Sequence, residues 1–479
     1  MTVLLPEAVC LAGGVAAFLI KSRRWLRRLS AFTVLLACAG VAAALLTGAG
    51  PVTLLSMGPR LSLRFGLDGL GAFFMLIFCV VWYLVEIYAL DYMEHEGKEN
   101  QFFGFYILTF GAMLALCSAR NAVTLYMCFE LMALLSIPMV LHDGTGASRD
   151  AALKYWGYST LGASLALMGM LLLSTCSESL EFTAGGVSFY LGSKGRVRAA
   201  ALLIVAGFGS KAGLIPLQMW LTEAHPVAPS PASALLSGTI TKCGILAIIR
   251  MLFYVIGADE LRGAWVQQCL MILSLVTVFT GSMLAVREKV LKRRLAYSSI
   301  SNLSYILFGL LTLTRAGFTG AMLQVLFHSL AKDTLFLSAG SVIFATGCRR
   351  VDGLRGVGRR MPVTMWGFAI ASLSLIGIPP TGGFAVKWQL AMGALETGSA
   401  LGLAGVVVLM VSALLTAFYL LPIVADAFFP GRDFDAGPPC EVKTGMLVPV
   451  IAFAALVLAL GAAPGRLLFW LGRLAGTLM

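Results

Sequence analysis

Long apolar stretches constrain this chain more than any other feature of its sequence. About fourteen runs of mostly apolar residues follow one another with short loops between them, and roughly 20 such residues suffice for a helix to cross a bilayer. Of the 479 residues, 59% are hydrophobic and 12% are charged, whereas a soluble domain needs a far more polar surface. The pattern predicts an all-α polytopic membrane protein without a separate soluble domain.

The segments define one polytopic helical bundle. They lie near residues 5–20, 30–48, 67–91, 102–118, 121–141, 155–175, 198–219, 231–256, 264–286, 295–313, 317–347, 362–388, 400–428 and 446–471.

Basic residues predict how the chain crosses the membrane. The first run precedes its basic cluster, KSRRWLRR at 21–28, whereas a secretory signal has the opposite order. A retained first helix is therefore favoured over a cleaved signal. With the N-terminus outside, the inner loops hold about 20 of the 35 Lys and Arg residues and the outer loops about 10, as the positive-inside rule requires. We expect a multi-pass protein of the cell inner (plasma) membrane with both termini outside.

Composition also argues against several functional classes. The net charge of +12 is explained by topology and contact with anionic lipids rather than by nucleic acid. Ten cysteines are scattered without a CxxC pair or a Cys/His cluster, which argues against a metal site, an iron–sulfur cluster or a disulfide framework. No Walker loop, dinucleotide fingerprint or nucleophile elbow occurs. We therefore predict no cofactor, no metal and no catalytic residues in this chain alone.

Four lysines stand alone in apolar runs: Lys211, Lys242, Lys332 and Lys387. An ionised side chain at mid-bilayer costs at least ~3 kcal/mol on insertion scales and persists where it faces other helices or water. We call these four residues the lysine row. The pattern indicates a pathway for charge.

Two further titratable residues extend this pattern. His328 lies between Gln324 and Lys332 at four-residue spacing, so the three share one helix face. That polar stripe favours a relay histidine over a core histidine. Glu130 lies within the run LYMCFELMALLSIPMV at 125–140 and must be neutral or paired there. Lys211 is its expected partner, either in a proton-exchanging pair or in a static ion pair.

Helix-breaking residues accompany two of these lysines. A proline inside a helix leaves a carbonyl without its donor, and such backbone at membrane depth must be covered by protein or line a wet cavity. Paired interrupted helices are a sequence sign of a transporter's ion site. The breaking residues are Pro216 near Lys211, and Pro379, Pro380, Gly382 and Gly383 near Lys387.

Other acids give less reason to expect a role in transport. Asp68 begins the third segment and either caps it or seals an opening, and Asp333 follows Lys332 but points about 100° away from it on a helix. Glu86, Asp91 and Asp426 lie near predicted inner ends. We assign none of the five to the charge pathway.

Several long motifs, in order, resemble one family. They are SKAGLIPLQMWLTEAHPVAPSPASALLSGTITKCG (210–244), LKRRLAYSSISNLSYI (291–306), FHSLAKDTLFLSAG (327–340) and GIPPTGGFAVKWQL (377–390). The chain resembles, over about residues 65–430, the antiporter-like membrane subunits of respiratory complex I, Mrp cation/proton antiporters and membrane-bound hydrogenases.

The resemblance implies a fold and residue roles. The fold has about fourteen transmembrane helices, two inverted five-helix repeats and broken helices seven and twelve. The implied units are residues 1–100 (helices 1–3), 101–256 (helices 4–8), 257–428 (helices 9–13) and 429–479 (helix 14). The implied proton pathway is Glu130, Lys211, Lys242, His328, Lys332 and Lys387. The chain departs from the family at Gln218, Thr222, Ser237 and Val290, which affects the route of proton uptake.

The function implied is that of a proton-translocating subunit in a redox-driven or antiporter complex, such as an NADH:quinone oxidoreductase or a hydrogenase. Its expected partners are other membrane subunits, lipid and protons. An Mrp-type Na⁺/H⁺ antiporter subunit is the alternative, although sodium prefers oxygen ligands and acids near the lysine row are few. A structural subunit without transport is the third hypothesis.

Overall fold

The polypeptide forms a bundle of long α-helices, seen in a computed structural model that describes residues 2–58, 61–431 and 437–479. Among these residues, ten helices are long and apolar enough to cross a membrane. The chain is thus a helical multi-pass membrane protein, as predicted.

The helices follow one another in chain order with short connections. They are α1 Leu5–Leu19, α2 Arg23–Thr47, α3 Gly69–Tyr92, α4 Glu99–Ser118, α5 Ala122–Val140, α6 Gly146–Ser174, α7 Lys194–Lys211, α8 Met219–Val227, α9 Ser230–Leu235, α10 Thr241–Ile249, α11 Ala258–Leu261, α12 Trp265–Arg287, α13 Leu291–Leu311, α14 Arg315–Thr346, α15 Val357–Arg360, α16 Pro362–Ile376, α17 Gly382–Glu396, α18 Ala400–Phe428, α19 Thr444–Ala462 and α20 Gly465–Leu478.

One β-hairpin departs from the all-α expectation. Strands β1 (Val52–Gly58) and β2 (Leu61–Phe65) pair antiparallel between α2 and α3. The hairpin is fixed to the bundle because the backbone N–H of Arg64 donates to Thr124 Oγ1 at 2.9 Å. Apolar periodicity did not predict it, since this stretch is too short to span a membrane.

Two helices are interrupted within the bundle. The first ends at Lys211 and resumes at Met219, with Gly213 at φ +77° between them and Pro216 in the same gap. The second ends at Ile376 and resumes at Gly382, with Gly377 at φ +92°. Only glycine adopts such φ values without strain. Both gaps lie where the sequence analysis placed helix-breaking residues.

The central helix of the bundle is wound unevenly. Residues Ser230–Ile256 run as α9, a π-helical turn at Leu236–Ile240, α10 and a second π-helical turn at Arg250–Ile256. Its most apolar 18-residue stretch is entirely buried. Since a π turn replaces i→i−4 hydrogen bonds by wider ones, it leaves carbonyl groups open to side-chain donors.

An ion pair between Asp68 and Arg250 joins the start of α3 to the end of this central helix. Asp68 caps α3 by accepting from the Gly71 N–H at 2.9 Å. The fully buried Arg250 donates Nη2–H to Asp68 Oδ1 at 2.7 Å and Nη1–H to Oδ2. Burial favours the protonated carboxyl, but the charge of Arg250 and its hydrogen bonds hold the pKa of Asp68 below its usual range. The pair is therefore ionised and two-pronged.

We predict that Asp68→Asn destabilises the protein by about 3 kcal/mol, because removing one partner of a buried pair strands the other charge. Asparagine still caps a helix, so the variant removes the charge of Asp68 but keeps the helix cap. The measurement is thermal unfolding of the purified chain in detergent. Asp259→Asn is the matched control, since Asp259 is 88% exposed and pairs with Arg262 at 3.0 Å. It should change stability by less than about 1 kcal/mol, and equal effects of the two variants would contradict the prediction.

Candidate functional site

The lysine row is spread over four helices near the middle of the bundle. Lys211 is 1% exposed, Lys242 and Lys332 are fully buried, and Lys387 is partly exposed. Within the described part of the chain, no carboxylate lies within 4.0 Å of any of the four ammonium nitrogens. Neutral oxygen atoms accept hydrogen bonds from these ammonium groups instead.

Lys211, the last residue of α7, is held by α6. Its Nζ donates to Tyr155 Oη at 2.6 Å and Ser159 Oγ at 3.4 Å. Nζ also lies 4.2 Å from the centre of the Tyr155 ring, and that ring stacks on Trp220. The Trp220 indole N–H in turn donates at 2.9 Å to the Ser210 carbonyl, which lies at the first helix interruption. Aromatic faces and hydroxyls together stabilise the ammonium without a counter-ion.

Lys242 lies two residues after the first π-helical turn of the central helix. Its Nζ donates to the backbone carbonyl of Ser237, and Ser237 Oγ lies 2.7 Å from Ser299 Oγ on α13. Ser329 Oγ on α14 donates to the Gly238 carbonyl at 2.6 Å. The irregular turn thus supplies the carbonyl that holds the ammonium.

Lys332 and His328 share one face of α14, as the spacing predicted. Lys332 Nζ donates to the Leu295 carbonyl on α13 at 2.9 Å. His328 is fully buried, and neither imidazole nitrogen has a hydrogen-bond partner within the described residues. One turn earlier, Gln324 Nε2 donates to Asn302 Oδ1 at 2.9 Å. Lys242, His328 and Lys332 are electrostatic neighbours of one another.

Lys387 binds the backbone at the second helix interruption. From α17, its Nζ donates to the carbonyls of Leu375, at 3.0 Å, and Ile376. These are the last residues of α16, where a helix presents unpaired carbonyls and the negative end of its dipole. The ammonium therefore replaces the donors that the broken helix lacks.

Glu130 does not touch Lys211. It is partly exposed on α5, and its Oε1 is buried with no hydrogen-bond partner in the described residues. The two side chains interact electrostatically, but no Lys, Arg or His side-chain nitrogen lies within 4.0 Å of the Glu130 carboxylate among the described residues. The static ion pair considered from the sequence is therefore not formed.

Asp333 belongs to this cluster, although no sequence pattern indicated it. It turns away from Lys332, as expected, but towards the central helix, where Lys242 is its main electrostatic partner. A Cβ atom on Gly238 would collide with Asp333 Oδ1, so glycine lets the carboxylate reach that backbone. Both carboxylate oxygens are buried without a hydrogen-bond partner in the described residues. The sequence showed an aspartate within an apolar run, but it did not show that this residue faces the central helix.

His225 and Lys292 were also missed. A cavity of about 490 Å³ opens at one end of the bundle and is lined by Lys292, Glu96 and Asp143 among others. Lys292 is 6% exposed and donates to the Ala228 carbonyl at 2.9 Å. His225 is fully buried against Phe336 and interacts electrostatically with Lys292, Lys332 and Lys242. Lys292 therefore lines the cavity, and His225 is influenced by the charges of both Lys292 and the lysine row.

A group of serine hydroxyls converges from three helices. Ser282 on α12 and Ser412 on α18 contact each other at 2.6 Å, and both contact Ser301 on α13, at 2.7 and 3.2 Å. Tyr305, four residues after Ser301, has its ring centre 5.9 Å from Lys387 Nζ. Isolated serines are common in membrane helices, so only their convergence from three helices identifies this group.

Comparison with known proteins gives two family matches for this chain. Residues 119–416 match the family described as NADH:quinone oxidoreductase/Mrp antiporter, TM. Residues 55–103 match the one described as NADH-Ubiquinone oxidoreductase (complex I), chain 5 N-terminus.

Individual relatives agree with these matches. NADH-quinone oxidoreductase subunit N of Desulforudis audaxviator is 34% identical over 78% of this chain and 77% of its own length. Hydrogenase-4 component B of Escherichia coli is 31% identical over 81% of this chain, which spans 61% of that protein. A chain of the Mrp complex from Dietzia sp. DQ12-45-1b shares the fold, with a TM-score of 0.86 and 22% identity over 100% of this chain and 97% of that chain.

The close approach at Gly238 generates a prediction. Gly238→Ala should destabilise the protein, because the new Cβ would collide with Asp333 Oδ1. Adding Asp333→Ala should recover part of the loss, with a coupling of about 0.5–3 kcal/mol in thermal unfolding. Gly157→Ala in α6 is the control, since nothing lies within 4 Å of its Cβ position, and alanine should be neutral or stabilising there. Additive effects of Gly238→Ala and Asp333→Ala would contradict the contact.

Proposed function

The chain belongs to the NADH:quinone oxidoreductase/Mrp antiporter family, and we propose that it is a proton-translocating membrane subunit of a multi-subunit complex. The observation that carries the proposal is the lysine row, whose ammonium groups are buried among neutral oxygens with no carboxylate in contact in the described residues. A lysine in such surroundings can give up its proton without leaving an unpaired buried carboxylate. Amines in such surroundings are suited to accepting and releasing protons.

We place proton uptake at the cavity lined by Lys292. From Lys292 the proton would pass to His225, which interacts electrostatically with Lys292, Lys242 and Lys332. Within the described residues neither imidazole nitrogen of His225 has a hydrogen-bond partner, which allows the ring to accept a proton on one side and release it on the other. This branch offers a route where the family's usual residues are replaced at Gln218 and Thr222.

Lateral transfer would follow the lysine row through the middle of the membrane. Asp333 would moderate the charge on Lys242, and the hydroxyl group of Ser282, Ser301 and Ser412 would support water between Lys332 and Lys387. The proposed order of stations is Glu130, Lys211, Lys242, His328, Lys332 and Lys387.

Two inverted five-helix repeats fit this arrangement. If each interrupted pair, α7 with α8 and α16 with α17, counts as one span, and α9 with α10 as another, the long helices give about fourteen spans. The repeats would be residues 101–256 and 257–428, flanked by 1–100 and 429–479, each with one interrupted helix. Both termini would then lie outside.

The ends of the proposed path indicate where partner subunits bind. Glu130 and Lys387 are the two partly exposed stations, on α5 and α17, which pack against different sets of helices. A titratable side chain that borders lipid is costly, so neighbouring membrane subunits would cover both residues. Redox chemistry or cation exchange in those partners would drive transfer, as the relatives named for quinone oxidoreductase, hydrogenase and Mrp complexes suggest.

We predict that Lys242→Ala abolishes proton translocation, because it removes the station between the first and second halves of the path. The fall should be at least about 100-fold, as for loss of a positioned proton donor. Pumping is measured in sealed vesicles that contain the assembled complex, and Lys211→Ala and Glu130→Ala should behave alike. Lys289→Ala, an exposed lysine, is the control. Full pumping by an assembled Lys242→Ala complex would point to a structural subunit.

The uptake branch makes a separate prediction. Lys292→Gln should slow translocation without abolishing it, and a lower pH on the cavity side should restore part of the rate by mass action. The same pH change should not restore translocation by Lys242→Ala. That variant lacks a proton carrier within the path, whereas Lys292→Gln only slows the supply of protons to it. The measurement is the initial pumping rate against pH on that side. Equal rescue of both variants, or of neither, would contradict this branch.

Sodium exchange is distinguished by its ion requirement. If the lysine row carries protons, translocation by the assembled complex continues in sodium-free buffer, since sodium needs oxygen ligands and the carbonyls and hydroxyls that contact the row already accept from lysines. Pumping that stops without sodium would favour the Mrp-type antiporter hypothesis.

A further inference from the structure

Two connected grooves lie at the end of the bundle where α1 and α5 end and α4 and α6 begin. One, of about 540 Å³, runs beside Phe18, Phe102 and Phe105. The other, of about 320 Å³, runs between α5 and α6 along Leu134 and Trp156. Pro138, Leu141 and Arg149 line both grooves. They therefore form one branched surface, which we call the forked groove.

Apolar side chains wall the smaller branch of the forked groove, and three phenylalanines line the larger branch beside polar residues. Leu134 is 51% exposed, Leu153 is 55% exposed and Trp156 is 50% exposed. Exposed apolar side chains beside a continuous slot are suited to hydrocarbon chains. Among the described residues, no carboxylate lines either branch.

Two cations stand at the junction of the branches. Lys98 and Arg149 are exposed, line the groove and make no ion pair or side-chain hydrogen bond within the described residues. Lys98 Nζ lies 3.6 Å from the Cβ position of Gly144, so the amine lies beside the loop before α6. An anion at this junction would meet both charges.

The backbone around Lys98 is held in an unusual conformation. Lys98 has φ +46° and follows Gly97 at φ +74°, and left-handed backbone is rare for a lysine. The imidazole of His142 lies 3.1 Å from the Gly97 carbonyl. Burial lowers the pKa of His142, so near neutral pH this ring braces the turn without adding a charge. The turn aims the Lys98 side chain across the groove.

Two helix N-termini meet the same junction. Lys98 directly precedes α4, and Arg149 lies in the first turn of α6. The positive ends of helix dipoles favour a bound anion. They add to the two side chains in selecting a negative headgroup.

From these features we infer that the forked groove binds an anionic phospholipid, with the phosphate between Lys98 and Arg149 and acyl chains in the two branches. The predicted topology places this end of the bundle at the inner leaflet, whose surface is negative. A free phosphate would satisfy the cations but leave the apolar branches without an occupant. This inference is independent of the transport proposal.

The test compares lipids by native mass spectrometry of the full chain in detergent. Phosphatidylglycerol and phosphatidylcholine with the same acyl chains are offered at equal concentration. The double variant Lys98→Asn/Arg149→Gln removes both charges, and asparagine tolerates the left-handed turn. Phosphatidylglycerol binding should fall about 25-fold, since each cation near an anionic lipid contributes about fivefold. Phosphatidylcholine binding should not change.

The control removes two exposed cations elsewhere, at the end of α12, in Arg287→Gln/Lys289→Gln, and it should keep the preference for phosphatidylglycerol. A similar loss in the control would mean that bulk charge attracts the lipid, and would overturn the inference. Equal binding of the two lipids by the wild type would also overturn it, leaving the groove to any lipid or to a neighbouring subunit. Displacement of phosphatidylglycerol by inorganic phosphate would identify an anion site and overturn the lipid assignment.

Discussion

The arrangement of charge in this protein depends on one constraint, which is that backbone polar groups at membrane depth need partners. Where α16 ends inside the bundle, its last carbonyls are bound by the ammonium of Lys387. Where the central helix widens into a π turn, the Ser237 carbonyl receives Lys242. At the other interruption, Trp220 binds the Ser210 carbonyl beside Lys211. Broken helices and buried lysines therefore stabilise each other, which explains how both persist in an apolar chain.

This mutual stabilisation differs from a buried salt bridge. An ion pair fixes both charges and resists separation, whereas an ammonium held by carbonyls and hydroxyls can lose its proton and leave its surroundings intact. The protein contains both kinds of site. Asp68 and Arg250 form a two-pronged pair that ties α3 to the central helix, while no carboxylate in the described chain contacts the lysine row. Carboxylates are present nearby, as Glu130 and Asp333, but Oε1 of Glu130 and both oxygens of Asp333 have no hydrogen-bond partner in the described residues.

Much of the site was predictable because its residues are costly in a membrane. Lys211, Lys242, Lys332 and Lys387 stood out without any knowledge of contacts, and His328 stood out by its four-residue spacing. Asp333, His225 and Lys292 did not, for a common reason. Each sits in a motif or at a helix end where a polar residue is ordinary, and its importance comes from what another helix brings to it. Gly238 is the clearest case, because only the packing of α14 against the central helix makes its missing Cβ significant.

The sequence by itself determined that the chain is a helical membrane protein, where its helices break and which charges are buried, because hydropathy and the cost of charge are properties of single segments. It also carried the family in its long ordered motifs. Only the tertiary structure decided that Glu130 and Lys211 do not touch, that Asp333 faces Lys242, and that Lys98 and Arg149 share one groove. Those outcomes depend on helix rotation and on contacts between residues far apart in the chain, which no local pattern of apolar and polar residues fixes.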